Sequence, residues 1–112
     1  MGASLRRVLG NPNHIRLMRV LRNDAPLRFN EIQQALELGP SEVHRAINLL
    51  KEGLWILPAT IPTKGNRVFL EWRLSGRGRG LMEAWDAFHD GIHVRRKTLG
   101  EAAVKDFDAV YA

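Results

Sequence analysis

The stretch from Leu38 to Gly53 most constrains the fold, because a tight turn leads directly into an amphipathic helix. Gly39 and Pro40 end one helix and begin the next. Apolar residues then recur at helical spacing, at Val43, Ala46, Ile47 and Leu50. The opposite side is polar, with Ser41, Glu42, His44, Arg45, Asn48 and Lys51. One face of this helix, over residues 40–52, must pack in a core while the other stays exposed.

Two further helices are predicted before that turn. Asn11 and Pro12 form a helix start, and the apolar spacing that follows predicts a helix from about Pro12 to Arg22. Asn30, with Gln33 at the reciprocal position of a capping box, predicts a short helix over about 31–37. Phe29, just before that cap, is expected to enter the core.

Strand and helix signals follow the amphipathic helix. Leu54–Leu57 is predicted to be a strand, and Arg67–Leu74 a second strand, in which Val68, Leu70, Trp72 and Leu74 alternate with other residues. The hairpin loop between them covers 62–66. Ser75 is expected to cap a long helix, and the capping-box pattern of Thr98 and Glu101 to open a last one.

Composition excludes several classes of protein. With 112 residues, of which 45% are hydrophobic, the chain fits one globular domain. Cysteine is absent, which excludes disulfides, thiolate metal sites and cysteine nucleophiles. No apolar stretch approaches the roughly 20 residues of a membrane span. The N-terminal residues lack the apolar run of a signal peptide, so we expect a cytoplasmic protein.

The positive charge is concentrated in two blocks. The net charge is +5, and 13 of the 17 basic residues are arginine. Residues 1–22 contain five arginines and no acidic residue, and residues 63–80 contain five basic residues and one acidic residue. Two basic blocks around an acidic middle segment indicate a surface that binds a polyanion.

The sequence resembles known regulators in three segments. Arg28–Leu36, followed by Ser41–Leu54, resembles the DNA-binding core of bacterial and archaeal regulators of the HxlR, MarR and ArsR kinds. Within it, Arg28-Phe-Asn-Glu31 is most similar to the HxlR pattern. Leu9–Met18 resembles the opening helix of ArsR proteins, and Arg73–Leu81 resembles the end of the wing in all three. The cysteines typical of HxlR and of many ArsR proteins are missing.

This resemblance implies an α+β, mainly helical fold: a winged helix-turn-helix with a two-stranded wing and C-terminal dimerisation helices. The implied domains are a basic N-terminal arm (1–10), the DNA-binding domain (11–80) and a C-terminal helical dimerisation segment (81–112). The implied function is sequence-specific binding of double-stranded DNA by a homodimeric transcriptional regulator without catalytic activity.

Candidate DNA contacts fall into two groups. The helix over 40–52 would enter the major groove, where Arg45 suits guanine, Asn48 suits adenine and Glu42 can accept from cytosine. The full set of base-reading candidates is Ser41, Glu42, His44, Arg45 and Asn48. Phosphate contacts are predicted for Arg28, Lys51, Lys64, Asn66, Arg67, Arg77 and Arg79. Arg6 and Arg7 are further candidates.

A stripe of apolar residues near the C-terminus exceeds what a small domain can cover, and predicts a dimer interface. Its members are Leu81, Trp85, Phe88, Ile92, Leu99, Phe107 and Val110. The alternative function is a winged helix used only for protein contact, as an interaction module or scaffold subunit, with Trp55, Trp72 and Trp85 in the interface.

Enzyme and metal sites are weakly indicated. The glycines of 76–80 follow a strand as in a dinucleotide-binding loop, but Leu81 occupies the third required glycine position. His89 and His93 have the spacing of a zinc-binding pair, yet no third ligand is evident from the sequence. His14 and His44 have no catalytic companion. We therefore expect no catalytic residue, cofactor or metal.

Overall fold

A computed structural model describes residues 4–62 and 68–111, with a mainly helical fold and a small antiparallel sheet. The helices are α1 (Leu5–Leu9), α2 (Pro12–Asp24), α3 (Phe29–Leu36), α4 (Pro40–Glu52), α5 (Gly76–Val94), α6 (Arg96–Leu99) and α7 (Glu101–Tyr111). The strands are β1 (Leu27–Arg28), β2 (Ile56–Pro62) and β3 (Val68–Leu74), in the sheet order β1-β3-β2. The predicted wing thus has a third short strand. Among the described residues, no helix has the length and hydrophobicity needed to cross a bilayer.

Helix starts follow the predicted caps at three places. The Asn11 side chain accepts a hydrogen bond from the backbone of Asn13 at 3.0 Å, and α2 continues two residues beyond its predicted end. Helix α4 begins at Pro40, as predicted. The Ser75 hydroxyl accepts from the Gly78 backbone at 2.9 Å and caps α5.

The predicted capping box of the second helix is wrong. Helix α3 begins at Phe29, and the Glu31 carboxylate accepts from the backbone of Arg28 at 2.9 Å. The reason is the strand before it: Leu27 pairs with Trp72 of β3, so the helix starts immediately after β1. Phe29 is half-buried and packs against the core.

The first hairpin strand begins later than predicted. Leu54 has a left-handed backbone, with φ of 60°, and cannot belong to a strand, so β2 starts at Ile56. Trp72 and Leu74 are buried as expected, but Leu70 is 53% exposed. Leu70 instead lines an open depression beside α4.

The predicted N-terminal arm is partly helical. Ser4 caps α1, and Val8 is fully buried in the core. The Val8 carbonyl also contacts the imidazole Nδ1 of buried His14 at 3.0 Å. The predicted domain boundary at residue 10 therefore separates α1 from α2, two helices that pack together.

The C-terminal helices pack on the same chain. Thr98 lies inside α6, and Gly100, with φ of 96°, separates α6 from α7, so Thr98 does not cap the last helix. Val104 is fully buried, whereas Leu99 and Val110 are exposed. Phe107 lies 5.9 Å from the Trp85 ring. Helix α7 thus covers part of α5.

Candidate functional site

Helix α4 has the two faces that the sequence predicts. Val43, Ala46, Ile47 and Leu50 are buried in the core. The candidate base-reading residues are all exposed, and so is Lys51. Because the buried side fixes the helix to the domain, its polar side chains project from a rigid support.

One edge of this polar face meets the first two helices. Arg45 and Asn48 line a depression of about 390 Å³ together with Arg7 and His14. Glu52 also lines it. The depression therefore carries two positive charges, from Arg7 and Arg45, and one negative charge, from Glu52. Arg7 was a secondary candidate in the sequence, and the fold places it next to α4.

His14 has a structural role at this edge. Its Nδ1 lies 3.0 Å from the Val8 carbonyl oxygen, and since a carbonyl only accepts, Nδ1 donates. The ring is buried and joins α1 to α2. The sequence suggested no role for His14 because this partner is a backbone atom.

The other edge of the face meets the wing. The His44 ring lies 4.4 Å from the ring of Phe29. Both line a depression of about 300 Å³ with Lys51, Leu70 and other residues of α4 and β3. Helix α4 and strand β3 therefore form one continuous surface.

The candidate phosphate contacts are dispersed. The Arg77 guanidinium lies 3.9 Å above the Trp55 ring, which restricts its motion while leaving its N–H groups able to donate. Arg28 is exposed at the start of α3. Arg79 lines a separate depression of about 290 Å³ with Arg22 and Glu83. Lys64, Asn66 and Arg67 lie outside the described residues.

Three arginines of the N-terminal basic block hold the domain together. Arg16 donates to the Leu36 carbonyl, Arg19 to the Tyr111 carbonyl, and Arg22 to the Asp86 carboxylate. Burial lowers the pKa of Arg19, and the nearby charges of Arg22 and Arg16 lower it further, against the opposing effect of Asp86. The sequence did not reveal these roles, since each partner is distant along the chain.

The predicted dimer surface is partly exposed. Phe88 is 54% exposed and lines an apolar groove of about 300 Å³ with Leu81 and Trp85. Leu5 and Leu9 of α1 complete the groove and were not among the predicted interface residues. Ile92 is half-buried, and Phe107 is half-buried against Trp85 in the same chain.

The tryptophans bear on the alternative function. Trp55 and Trp72 are buried in the core, so they are not available to a partner's surface. Trp85 is half-buried beneath Tyr111, whose ring lies 4.8 Å away. The aromatic support for a protein-interaction module is therefore lost at two of its three positions.

No protein-family model and no curated protein matches the sequence. Solved structures do match. A MarR family transcription regulator superposes with a TM-score of 0.67 at 14% identity, over 88% of this chain. This is the winged-helix fold of MarR family regulators. The chain spans 64% of that regulator's length, which is less than two thirds.

Two structures of ZitR from Lactococcus lactis share the fold. ZitR, described as a zinc-responsive MarR family member, has a TM-score of 0.61 at 18% identity, over 88% of this chain and 71% of ZitR. A variant of ZitR in its apo form has a TM-score of 0.64 at 18% identity, over 94% of this chain and 82% of that one. The MarR-like architecture is thus established, whereas the resemblance to ArsR and HxlR proteins stays a prediction.

Proposed function

We propose that this protein is a homodimeric transcriptional regulator that binds double-stranded DNA in a sequence-specific manner. The observation that carries the proposal is the polar face of α4, which is exposed along the helix while its apolar face is buried. A helix held in this way fits the major groove, which admits an α-helix and presents a distinct pattern for each base pair. The fold shared with transcription regulators supports the same conclusion.

Base reading is assigned to the middle of α4. Arg45 would donate two of its guanidinium N–H groups to O6 and N7 of guanine, and Asn48 would pair with adenine. Glu42 would accept from cytosine, and Ser41 and His44 would contact neighbouring base edges or phosphates. Contact with the tilted Phe29 ring restricts the His44 ring before DNA binds, which reduces the entropy lost on binding.

Affinity must come from residues around α4, because Glu42 and Glu52 offset the charges of Arg45 and Lys51. Arg7 lies at one edge of the polar face, and Arg28 and Arg77 are exposed elsewhere on the same domain. Lys64, Asn66 and Arg67 of the wing are proposed to contact phosphates. Each neutralised phosphate adds about 0.9 to the salt slope of binding.

Dimerisation is proposed through the groove of α1 and α5. Two reading helices related by a two-fold axis would contact half-sites about 34–36 Å apart. A second copy of this chain would cover Phe88, Leu81 and the exposed leucines of α1. Leu99 of α6 and Val110 of α7 are exposed and would extend this interface. Ile92, which is half-buried, would lie at its edge.

We also propose that the chain has no catalytic role and acts in the cytoplasm, where a regulator meets its DNA. The glycines of 76–80 lie in the first turns of α5 and form no phosphate-binding loop. One of the similar structures is described as a MarR family transcription regulator.

Selection of bound fragments from random duplex DNA at physiological salt tests the proposal. We expect a palindromic site. Arg45→Ala should relax sequence preference, whereas Lys64→Ala or Arg67→Ala should weaken binding to all duplexes and reduce the salt slope. Lys105→Ala is the matched control, since it removes one exposed positive charge from α7, away from the reading helix.

Three results would contradict the proposal or a part of it. Recovery of unrelated sequences, with binding that vanishes at moderate salt, would favour the protein-interaction module. Equal losses of affinity for every duplex in Arg45→Ala and Lys105→Ala would show that α4 does not recognise the DNA sequence. A monomer at the concentrations that bind DNA would refute the dimer.

A further inference from the structure

The fold brings a third metal-binding side chain to the histidine pair of α5. His89 and His93 are one helical turn apart, and Asp108 of α7 lies opposite them. One ligand atom from each residue lies within 4.8 Å of the other two. The Asp108 carboxylate oxygen is 2.8 Å from Nε2 of His93 and 3.9 Å from Nε2 of His89.

We infer that His89, His93 and Asp108 form a binding site for a divalent transition metal ion such as Zn²⁺. Two imidazoles and one carboxylate are typical zinc ligands, and three protein ligands leave a fourth position for water or another donor. In a tetrahedral zinc site the ligand atoms are about 3.4 Å apart, from bond lengths of about 2.1 Å. The observed 2.8 and 3.9 Å lie on either side of this value, and no two of the three ligand atoms are more than 4.8 Å apart. Side-chain rotations that move the ligand atoms by about 1 Å would therefore bring them to this spacing.

The two helices hold the three side chains in place. Val104 and Phe107 fix α7 against the core and the aromatic cluster of α5, and Asp108 follows Phe107 directly. The Phe107 ring also lies 5.6 Å from the ring of His89. All three ligands are half-buried, so they remain accessible to an ion from solvent.

His89 is oriented correctly for a metal ligand. Its Nε2 faces Asp108, and its Nδ1 faces the carboxylate of Asp90 at 3.8 Å. Metal-bound histidines usually direct their other ring nitrogen to a carboxylate or a carbonyl, which fixes the tautomer. At 3.8 Å the Asp90 carboxylate is beyond hydrogen-bond distance of this nitrogen, but it lies on the side of the ring where such a carboxylate is found.

Arg96 opposes metal binding at His93. Its guanidinium donates to His93 Nδ1 at 3.2 Å, so in the neutral ring the proton lies on Nε2, the atom that must bind the metal. Metal binding requires this proton to move to Nδ1 and Arg96 to turn away. Arg96 is exposed and also pairs with Glu101 at 3.2 Å, which offers it an alternative partner. Arg96 thus competes with the metal ion for His93, and a substitution can remove this competition.

Metal titration of the full chain tests the inference, with a chromophoric zinc competitor and with Co²⁺ absorption as the readouts. We expect one Zn²⁺ per chain and a Co²⁺ spectrum of tetrahedral type. His93→Ala and Asp108→Ala should each weaken Zn²⁺ binding by at least about tenfold. Asp108→Asn, which keeps the size of the side chain, serves if the alanine variant does not fold.

Two further variants sharpen the test. Arg96→Met should strengthen Zn²⁺ binding severalfold, because it removes the competing donor and keeps the apolar stem. His44→Ala, which removes an exposed histidine from α4, should leave Zn²⁺ binding unchanged. Unchanged affinity in both ligand variants, or an equal loss in His44→Ala, would overturn the inference. The outcome does not depend on DNA binding.

Discussion

Alanine at Gly78 is expected to destabilise the fold, although alanine is the better helix former. Gly78 is buried in the first turn of α5. A Cβ built there lies 2.1 Å from the Trp55 carbonyl oxygen and 3.2 Å from Leu74 Cδ2. Since the first of these neighbours is a backbone atom, it cannot rotate away. The start of α5 must move by about 1 Å or more to restore normal contact.

The magnitude follows from the contacts that this movement breaks. The Trp55 carbonyl accepts from the Ser75 hydroxyl at 3.0 Å and from the Ser75 backbone N–H at 3.2 Å. Two such hydrogen bonds contribute about 1–3 kcal/mol net, and overpacking costs about 1–3 kcal/mol. The helix propensity of alanine offsets about 1 kcal/mol. These figures give a net loss of about 1–5 kcal/mol. Its middle value, about 3 kcal/mol, corresponds to roughly 12 °C in melting temperature.

Gly80→Ala is the matched control. Gly80 lies two residues later in the same helix and is exposed, and a Cβ added there meets no atom of the described residues within 4 Å. This variant should gain about 0.5–1 kcal/mol. Urea unfolding followed by circular dichroism measures both variants. A Gly78→Ala protein as stable as Gly80→Ala would refute the argument from the Trp55 carbonyl.

Four other substitutions test three separate parts of the fold by urea unfolding. Leu54→Gly should raise stability by up to about 1 kcal/mol, because Leu54 has a positive φ and is 60% exposed; a loss would contradict this. Val104→Ala should cost about 2 kcal/mol and Val110→Ala less than about 0.5 kcal/mol, because the first is buried and the second is 46% exposed. Equal costs would mean that α7 does not pack as described. Arg16→Met should cost about 1–2 kcal/mol through the lost donation to the Leu36 carbonyl; an unchanged midpoint would show that this bond contributes nothing.

The sequence predicts α4 and its two faces because both depend on local signals. The turn residues Gly39 and Pro40 set the start of the helix, and the apolar spacing sets its orientation. The same is true of Ser75, which caps α5 as expected. The polar candidates for base reading therefore lie where the periodicity places them.

Features that depend on distant parts of the chain were not predictable in this way. The two-residue strand β1 exists only because Leu27 pairs with Trp72. Arg7 joins the reading face only because Val8 is buried and anchors α1. The metal-binding cluster is a third case, since Gly100 must first turn α7 back before Asp108 meets the histidines.

The hydrogen bonds between Ser75 and the Trp55 carbonyl determine which substitutions the packing of α5 on the hairpin can tolerate. They fix the two ends of the hairpin and the start of α5 through main-chain atoms and one hydroxyl, since Ser75 also donates to the Leu54 carbonyl at 2.6 Å. A geometry set by the main chain is insensitive to exchange of the surrounding apolar side chains. Exchange of buried apolar residues for others of similar size should therefore leave the angle between the β2–β3 hairpin and α5 unchanged.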